Sequence, residues 1–318
     1  MGRSDSTRGG EYDGAMSSPP PASPARKPSL LVKIVRWSML ATVGLLLGLL
    51  GLLFARPEML LFYPSRVLEA TPDTIDWAYE RVELSTEDGE TLVAWYLGAD
   101  RNGVLRERNW VALYCHGNGG NISGRLGALE GLRALGLSVL ILDYRGYGHS
   151  SGRPSVAGTR LDVAAAWSHL IEARAFTPAR IVLWGRSLGG AIAIDQAARV
   201  SEAGTPPAAL VVESSFTSTV TLAKQLYPWL PVGWFRAKID YPSQALIATV
   251  PSPVLIAHSP DDDLIPVAHG HELHAAATSG VAQQVDYVEL RGGHNEGTLT
   301  QPWHLDELTE FFTASASQ

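Results

Sequence analysis

The chain has 318 residues, a formal net charge of −7 and 46% apolar residues, and its charged fraction of 18% is lower than the usual quarter or so. Gly and Pro stand near ordinary usage, which excludes a collagen-like or wholly disordered chain. The acidic balance argues against a nucleic-acid-binding surface, which needs a basic stripe, and a lone cysteine, Cys115, excludes an internal disulfide and a Cys-based zinc site.

Residues 1–36 read as a disordered tail, rich in Gly, Ser and Pro as far as residue 29 and too poor in apolar surface to offset the entropy of ordering. Trp37–Ala55 then carries no charged residue and no polar face. As a helix rising about 1.5 Å per residue it spans roughly 28 Å, the thickness of a bilayer core. A cleaved signal peptide would begin closer to the N-terminus and end on a small-x-small site, and a buried core helix would show a polar side. A transmembrane anchor therefore fits the segment best. Arg26, Lys27, Lys33 and Arg36 precede it and only Arg56 and Arg66 follow closely, so the positive-inside rule puts the tail in the cytoplasm and the body on the extracytoplasmic side.

After a linker over residues 56–79, Glu80–Ser85 and Thr91–Leu97 read as strands joined at Asp88-Gly89, a hairpin turn. Strands then alternate with helices. Trp110–Cys115, Ser138–Asp143, Arg180–Trp184, Ala209–Glu213, Val254–His258 and Val285–Leu290 are near-continuous apolar runs, the pattern of parallel strands covered on both faces. Between and after them, helices are expected near Gly124–Leu135, Gly158–Ala173, Leu188–Val200, Val267–Ala277 and Pro302–Thr313. The order implies a doubly wound, mostly parallel α/β domain over residues 80–318. Within it, 214–250 is a longer stretch with six aromatic residues, either a lid-like insertion beside the sheet or ordinary helix packing.

Gly185-Arg186-Ser187-Leu188-Gly189 lies where a strand turns into a helix, the context in which a serine is held above the sheet as a nucleophile. The glycine-rich His116-Gly117-Asn118-Gly119-Gly120 lacks the endings of a phosphate loop. It suits an oxyanion hole made by the N–H of Asn118 with that of Leu188. His116 fits a loop-shaping role better than that of a base. A serine hydroxyl needs a base and an orienting acid, which follow it in the order acid, then histidine. His294, just past the last strand, is the expected base, and the acid is one of Asp261, Asp262 and Asp263. His304 reads as surface. Neither the aspartate triplet nor His269-Gly270-His271-Glu272-Leu273-His274 has metal-ligand spacing, so no metal or cofactor is expected, and the histidine run reads as a solvated helix face.

Together with Phe62-Tyr63-Pro64, Glu87-Asp88-Gly89-Glu90, Asp143-Tyr144-Arg145-Gly146-Tyr147-Gly148, Glu213-Ser214-Ser215-Phe216-Thr217-Ser218, Asp262-Asp263-Leu264-Ile265-Pro266 and Gly293-His294-Asn295, these motifs make the chain resemble the α/β-hydrolase superfamily from about Phe62 to Phe312. Within it they resemble a single-pass, membrane-anchored group of serine hydrolases that includes protein depalmitoylases. The resemblance implies that the acid stands four residues before a proline, which maps to Asp262 ahead of Pro266, and that the Asp143-Tyr144-Arg145-Gly146 turn is structural. Some depalmitoylating relatives carry an N-terminal cysteine cluster for lipid attachment; this chain has an apolar helix there instead. The activity implied is hydrolysis of a carboxylic ester or thioester of a small molecule or lipid at a membrane, by a Ser187–His294–Asp262 triad. A peptidase of the same fold and a catalytically silent scaffold are the alternatives.

Overall fold

The computed structural model describes residues 29–315, so the disordered-tail expectation for residues 1–28 lies outside it. The chain divides into two compact units between Gly51 and Leu52. The helix α1 (Leu30–Ala55) is exposed along its length and is long and apolar enough over Leu30–Leu52 to cross a membrane. It begins seven residues before the expected Trp37. Leu30, Leu31, Val32, Ile34 and Val35 continue the apolar run, and the long side chains of Lys33 and Arg36 can keep their charges in water while their stems lie on the helix.

The second unit is built on an eight-stranded sheet. Its strands are β1 (Glu80–Ser85), β2 (Thr91–Leu97), β3 (Val111–Cys115), β4 (Ser138–Leu142), β5 (Ile181–Arg186), β6 (Ala209–Glu213), β7 (Val254–His258) and β8 (Val285–Glu289). Their spatial order is β8-β7-β6-β5-β3-β4-β2-β1, with β1 and β2 antiparallel at one edge and the rest parallel. The alternation along the inner strands feeds two cores. Val111, Leu113 and Cys115 enter one, and Ala112 and Tyr114 enter the other. Burial on both faces is why the inner strands are near-continuous apolar runs, whereas the edge strands β1 and β8 carry exposed acids such as Glu83 and Glu289.

Helices α2 (Leu126–Ala134), α3 (Val156–Glu172), α4 (Leu188–Glu202), α8 (Ala268–Thr278) and α9 (Leu305–Ser315) complete the layers. Ser155 caps α3 by accepting the Gly158 N–H at 2.9 Å. Between β6 and β7 run the short helices α5 (Thr219–Leu226), α6 (Arg236–Ile239) and α7 (Ser243–Ile247). The aromatic residues of that insertion divide between core and surface. Phe216, Phe235 and Tyr241 are buried, whereas Trp229 and Trp234 are 78% and 75% exposed.

Part of the linker is ordered against the body. Tyr63–Pro64 pairs in parallel with Gly119–Gly120, and the Asn121 amide donates to the carbonyls of Ser65 and Val67 at 3.1 and 2.6 Å. The strap fixes the glycine-rich loop that carries Asn118.

Candidate active site

Ser187 stands between β5 and α4 at φ 56° and ψ −123°, a left-handed backbone that L-residues rarely adopt and that persists only where the surroundings enforce it. The surroundings are visible. The Ser187 N–H donates to the Glu213 carbonyl at 2.8 Å, and the Ser215 hydroxyl donates to the Ser187 carbonyl at 2.8 Å. The flanking glycines are dictated by space. A Cβ at Gly185 would run into the Gly189 backbone, and one at Gly189 into the carbonyl oxygens of Cys115 and His116. Gly189→Ala is therefore expected to lower the melting temperature of the detergent-solubilised protein by roughly 5 °C or more, since overpacking costs about 1–3 kcal/mol. An unchanged unfolding curve would contradict this.

His294 follows β8 and reaches back over the sheet. Its Nε2 lies 3.1 Å from Ser187 Oγ and its Nδ1 lies 2.8 Å from Asp262 Oδ2. Because a carboxylate only accepts, Nδ1 carries the proton and Nε2 is free to accept from the serine hydroxyl. Asp262, just past β7, also accepts the N–H groups of Leu264 and Ile265 at 2.9 and 2.7 Å, and His258 Nε2 lies 3.4 Å from the same Oδ2. Burial alone would raise the Asp262 pKa. The hydrogen bonds from His258, His294 and Ile265 outweigh it and hold the carboxyl well below the usual range. The neighbouring Asp263 accepts the backbone N–H of His294 at 3.0 Å, and Asp261 is exposed.

Ser187 and His294 line a cavity of about 300 Å³, and Asn118 lines it too. Leu188 is the first residue of α4, so its N–H has no carbonyl one turn earlier in the helix to pair with. The Asn118 carbonyl is turned away and occupied by the Tyr63 N–H at 3.1 Å and the Tyr147 hydroxyl at 2.8 Å.

His116 is buried, stacks at 4.4 Å on Tyr144 and donates from Nδ1 to the Gly117 carbonyl at 2.7 Å. Burial, helped by Arg125, pushes its pKa down to about 3, so it shapes the loop as a neutral ring. Nearby Asp143 is 1% exposed and accepts the Ile122 N–H at 2.9 Å. Burial pushes its pKa up to about 7. The folded chain thus keeps a proton on Asp143 between pH ~4 and ~7 that the unfolded chain has lost. That contribution to stability is complete below pH ~4 and disappears as the pH rises through ~7. Asp143→Asn keeps the Oδ1 acceptor and cannot ionise. Its stability relative to wild type is expected to climb from pH 5 to pH 8, by at most about 3 kcal/mol. Unfolding curves at four pH values check it, and a difference independent of pH would overturn it.

Two histidine assignments change. His304 is 4% exposed rather than on the surface, because the turn that opens α9 packs onto the body. His269 is buried, with Nδ1 at 2.9 Å from the Thr217 hydroxyl, while His271 on the same helix is exposed.

Two further residues at the site were not singled out from the sequence as functional. Arg186, the variable position of the elbow, donates to the carbonyls of His294 and Gly297 and so ties the elbow to the histidine loop. Glu213 is fully buried at the end of β6 and accepts from the Trp184 indole, the Thr298 hydroxyl at 2.9 Å and the Leu299 N–H at 3.0 Å. An acid ending an otherwise apolar strand was the available clue.

A doubly wound sheet in this order, with a left-handed serine between strand and helix facing a His–Asp pair, is the arrangement of an α/β hydrolase. The chain belongs to the α/β-hydrolase family. It is 36% identical over 272 residues to an uncharacterized protein of Mycobacterium tuberculosis, covering 85% of this chain and 92% of that one. It is 31% identical to the alpha/beta hydrolase domain-containing protein WAV2 of Arabidopsis thaliana, covering 80% and 86%. Lysophosphatidylserine lipase ABHD12 of Danio rerio is 31% identical over 61% of this chain and 57% of its own length. A family model described as serine aminopeptidase S33 matches residues 106–239, which include Ser187 but neither Asp262 nor His294. Among solved structures, the esterase Pf2001 of Pyrococcus furiosus shares the fold at a TM-score of 0.61 and 22% identity, covering 79% of this chain and 98% of that one.

Proposed function

We propose that the protein is a membrane-anchored serine hydrolase that cleaves carboxylic ester or thioester bonds. The observation that carries the reading is the continuous line from Ser187 Oγ through His294 to Asp262, at 3.1 and 2.8 Å. His294 takes the hydroxyl proton on Nε2 as Ser187 Oγ bonds to the acyl carbon. Asp262 keeps the ring oriented and balances its charge. The carbonyl oxygen becomes an anion held by the N–H groups of Asn118 and Leu188. The C–O or C–S bond then breaks, and the leaving group takes the proton from His294. Water next attacks the acyl-enzyme with His294 again as base, releasing the acid and restoring the serine.

In this reading residues 1–36 are the cytoplasmic tail, Trp37–Ala55 lies within the membrane span, 56–79 is the linker, and the catalytic domain over 80–318 faces the extracytoplasmic side. The name of the ABHD12 relative, a lipase, supports a lipid or acyl ester as substrate. Peptide hydrolysis is the second reading, because the matched family model is described as an aminopeptidase. A panel of p-nitrophenyl esters of graded chain length, run beside aminoacyl p-nitroanilides, separates the two. Ester turnover that exceeds anilide turnover is expected, and the reverse order would replace the esterase with a peptidase.

A further inference from the structure

The cavity that holds Ser187 and His294 is lined by two arginines, Arg125 and Arg186, and by no aspartate or glutamate among the described residues. The same two residues also line a neighbouring cavity of about 730 Å³, together with Glu130 and Glu296. Their hydrogen bonds go to carbonyls: Arg125 Nη2 to Gly119, and Arg186 Nη2 to His294 and Gly297. In both, Nε is buried and has no partner. Those two atoms are closed to the cavity, so an anion there would be met by the outer N–H groups of each guanidinium, a planar fork matched to a phosphate or carboxylate. Three of the acids near them are held by other groups. Glu213 is satisfied by Trp184, Thr298 and Leu299, Asp263 takes the His294 N–H, and Glu296, which lines only the larger cavity, takes the Gly293 N–H at 2.8 Å.

We infer that Arg125 and Arg186 form an anion-binding subsite, and that the substrate is an acyl ester whose leaving-group side carries a phosphate or carboxylate close to the scissile bond. The inference rests on the serine hydrolase reading and adds the charge of the substrate to it. Arg125 reaches the subsite from the segment leading into α2, on the side of the loop that carries Asn118. Arg186 reaches it from the elbow. An anion placed between them fixes the ester relative to Ser187 from two sides, and the apolar remainder of the substrate is left free of charge requirements.

The test is protection of Ser187 from a fluorophosphonate probe by ether analogues that cannot be hydrolysed, using the full chain in neutral detergent. The competitors are octyl glycerol ether, its phosphate, and the octyl ether of glyceric acid. They share the alkyl chain and differ in charge. At least about tenfold tighter protection by an anionic competitor than by the neutral one is expected, which matches one to two charge-assisted hydrogen bonds. The ratio should fall to within about twofold in Arg125→Gln combined with Arg186→Gln. Because the ratio is taken within one protein, any slower labelling caused by loosening the His294 loop cancels. Protection by the phosphate alone identifies a phosphate site, and equal protection by both anions identifies a general one. Equal protection by all three competitors in the wild type, or a ratio unmoved by the double substitution, overturns the subsite while leaving the hydrolase reading intact. A folded chain that takes up no probe overturns the hydrolase reading, and the subsite falls with it.

Discussion

Replacing Ser187 by alanine is expected to lower kcat on any ester substrate by about 10⁴-fold or more, with KM changed little. The reason is specific to this residue. In the proposed mechanism Ser187 supplies the oxygen that lies 3.1 Å from Nε2 of His294, and removing it leaves that base with nothing to deprotonate. The fold should tolerate the change. The positive φ at this position is imposed by Glu213, Ser215 and the flanking glycines, and all of these remain. Residual turnover would come from the oxyanion donors and bound water. A Ser187→Ala protein that unfolds like the wild type and keeps more than a tenth of its activity would mean that another group carries the reaction.

Asp262→Asn tests the orienting acid, and a loss of about 10⁴ in kcat is expected at neutral pH. The amide that replaces Oδ2 would donate toward His294 Nδ1, where the carboxylate now accepts at 2.8 Å. The ring would respond by moving its proton to Nε2, the atom that must be bare to take the serine proton. The substitution keeps the shape of the side chain, and Oδ1 can still accept the N–H groups of Leu264 and Ile265. A small effect would reassign the role to Asp263, whose Oδ1 holds the His294 backbone rather than its ring. Comparing Asp262→Asn with Asp263→Asn in one assay separates the two.

The contrast between these neighbouring aspartates shows how far a sequence can be read. The fold was legible because its causes are local. Strands such as Ala209–Glu213 and Val254–His258 are apolar on both faces, and both occupy the span their pattern predicts. The hairpin strands around Asp88-Gly89 do the same. The elbow was legible because two glycines must flank a serine forced into a left-handed turn. The choice among Asp261, Asp262 and Asp263 was not, since three adjacent acids differ only in which way a loop turns them. A family pattern, not spacing, pointed to Asp262. Arg125, Arg186, Glu213 and His258 were less visible still. Arg186 and Glu213 take their roles from partners far along the chain, His294 and Gly297 for the one and Thr298 and Leu299 for the other, while Arg125 and His258 act through loop turns that bring Gly119 and Asp262 to them. His304 failed for a related reason, because its burial depends on how the start of α9 docks rather than on its neighbours in sequence.

The most direct test is to label the solubilised protein with a fluorophosphonate and map the modified residue by mass spectrometry. The adduct should sit on Ser187 alone, form much more slowly in His294→Ala and be absent from Ser187→Ala. An adduct on a different residue, or labelling of Ser187 that proceeds equally fast without His294, would contradict a serine activated by that histidine.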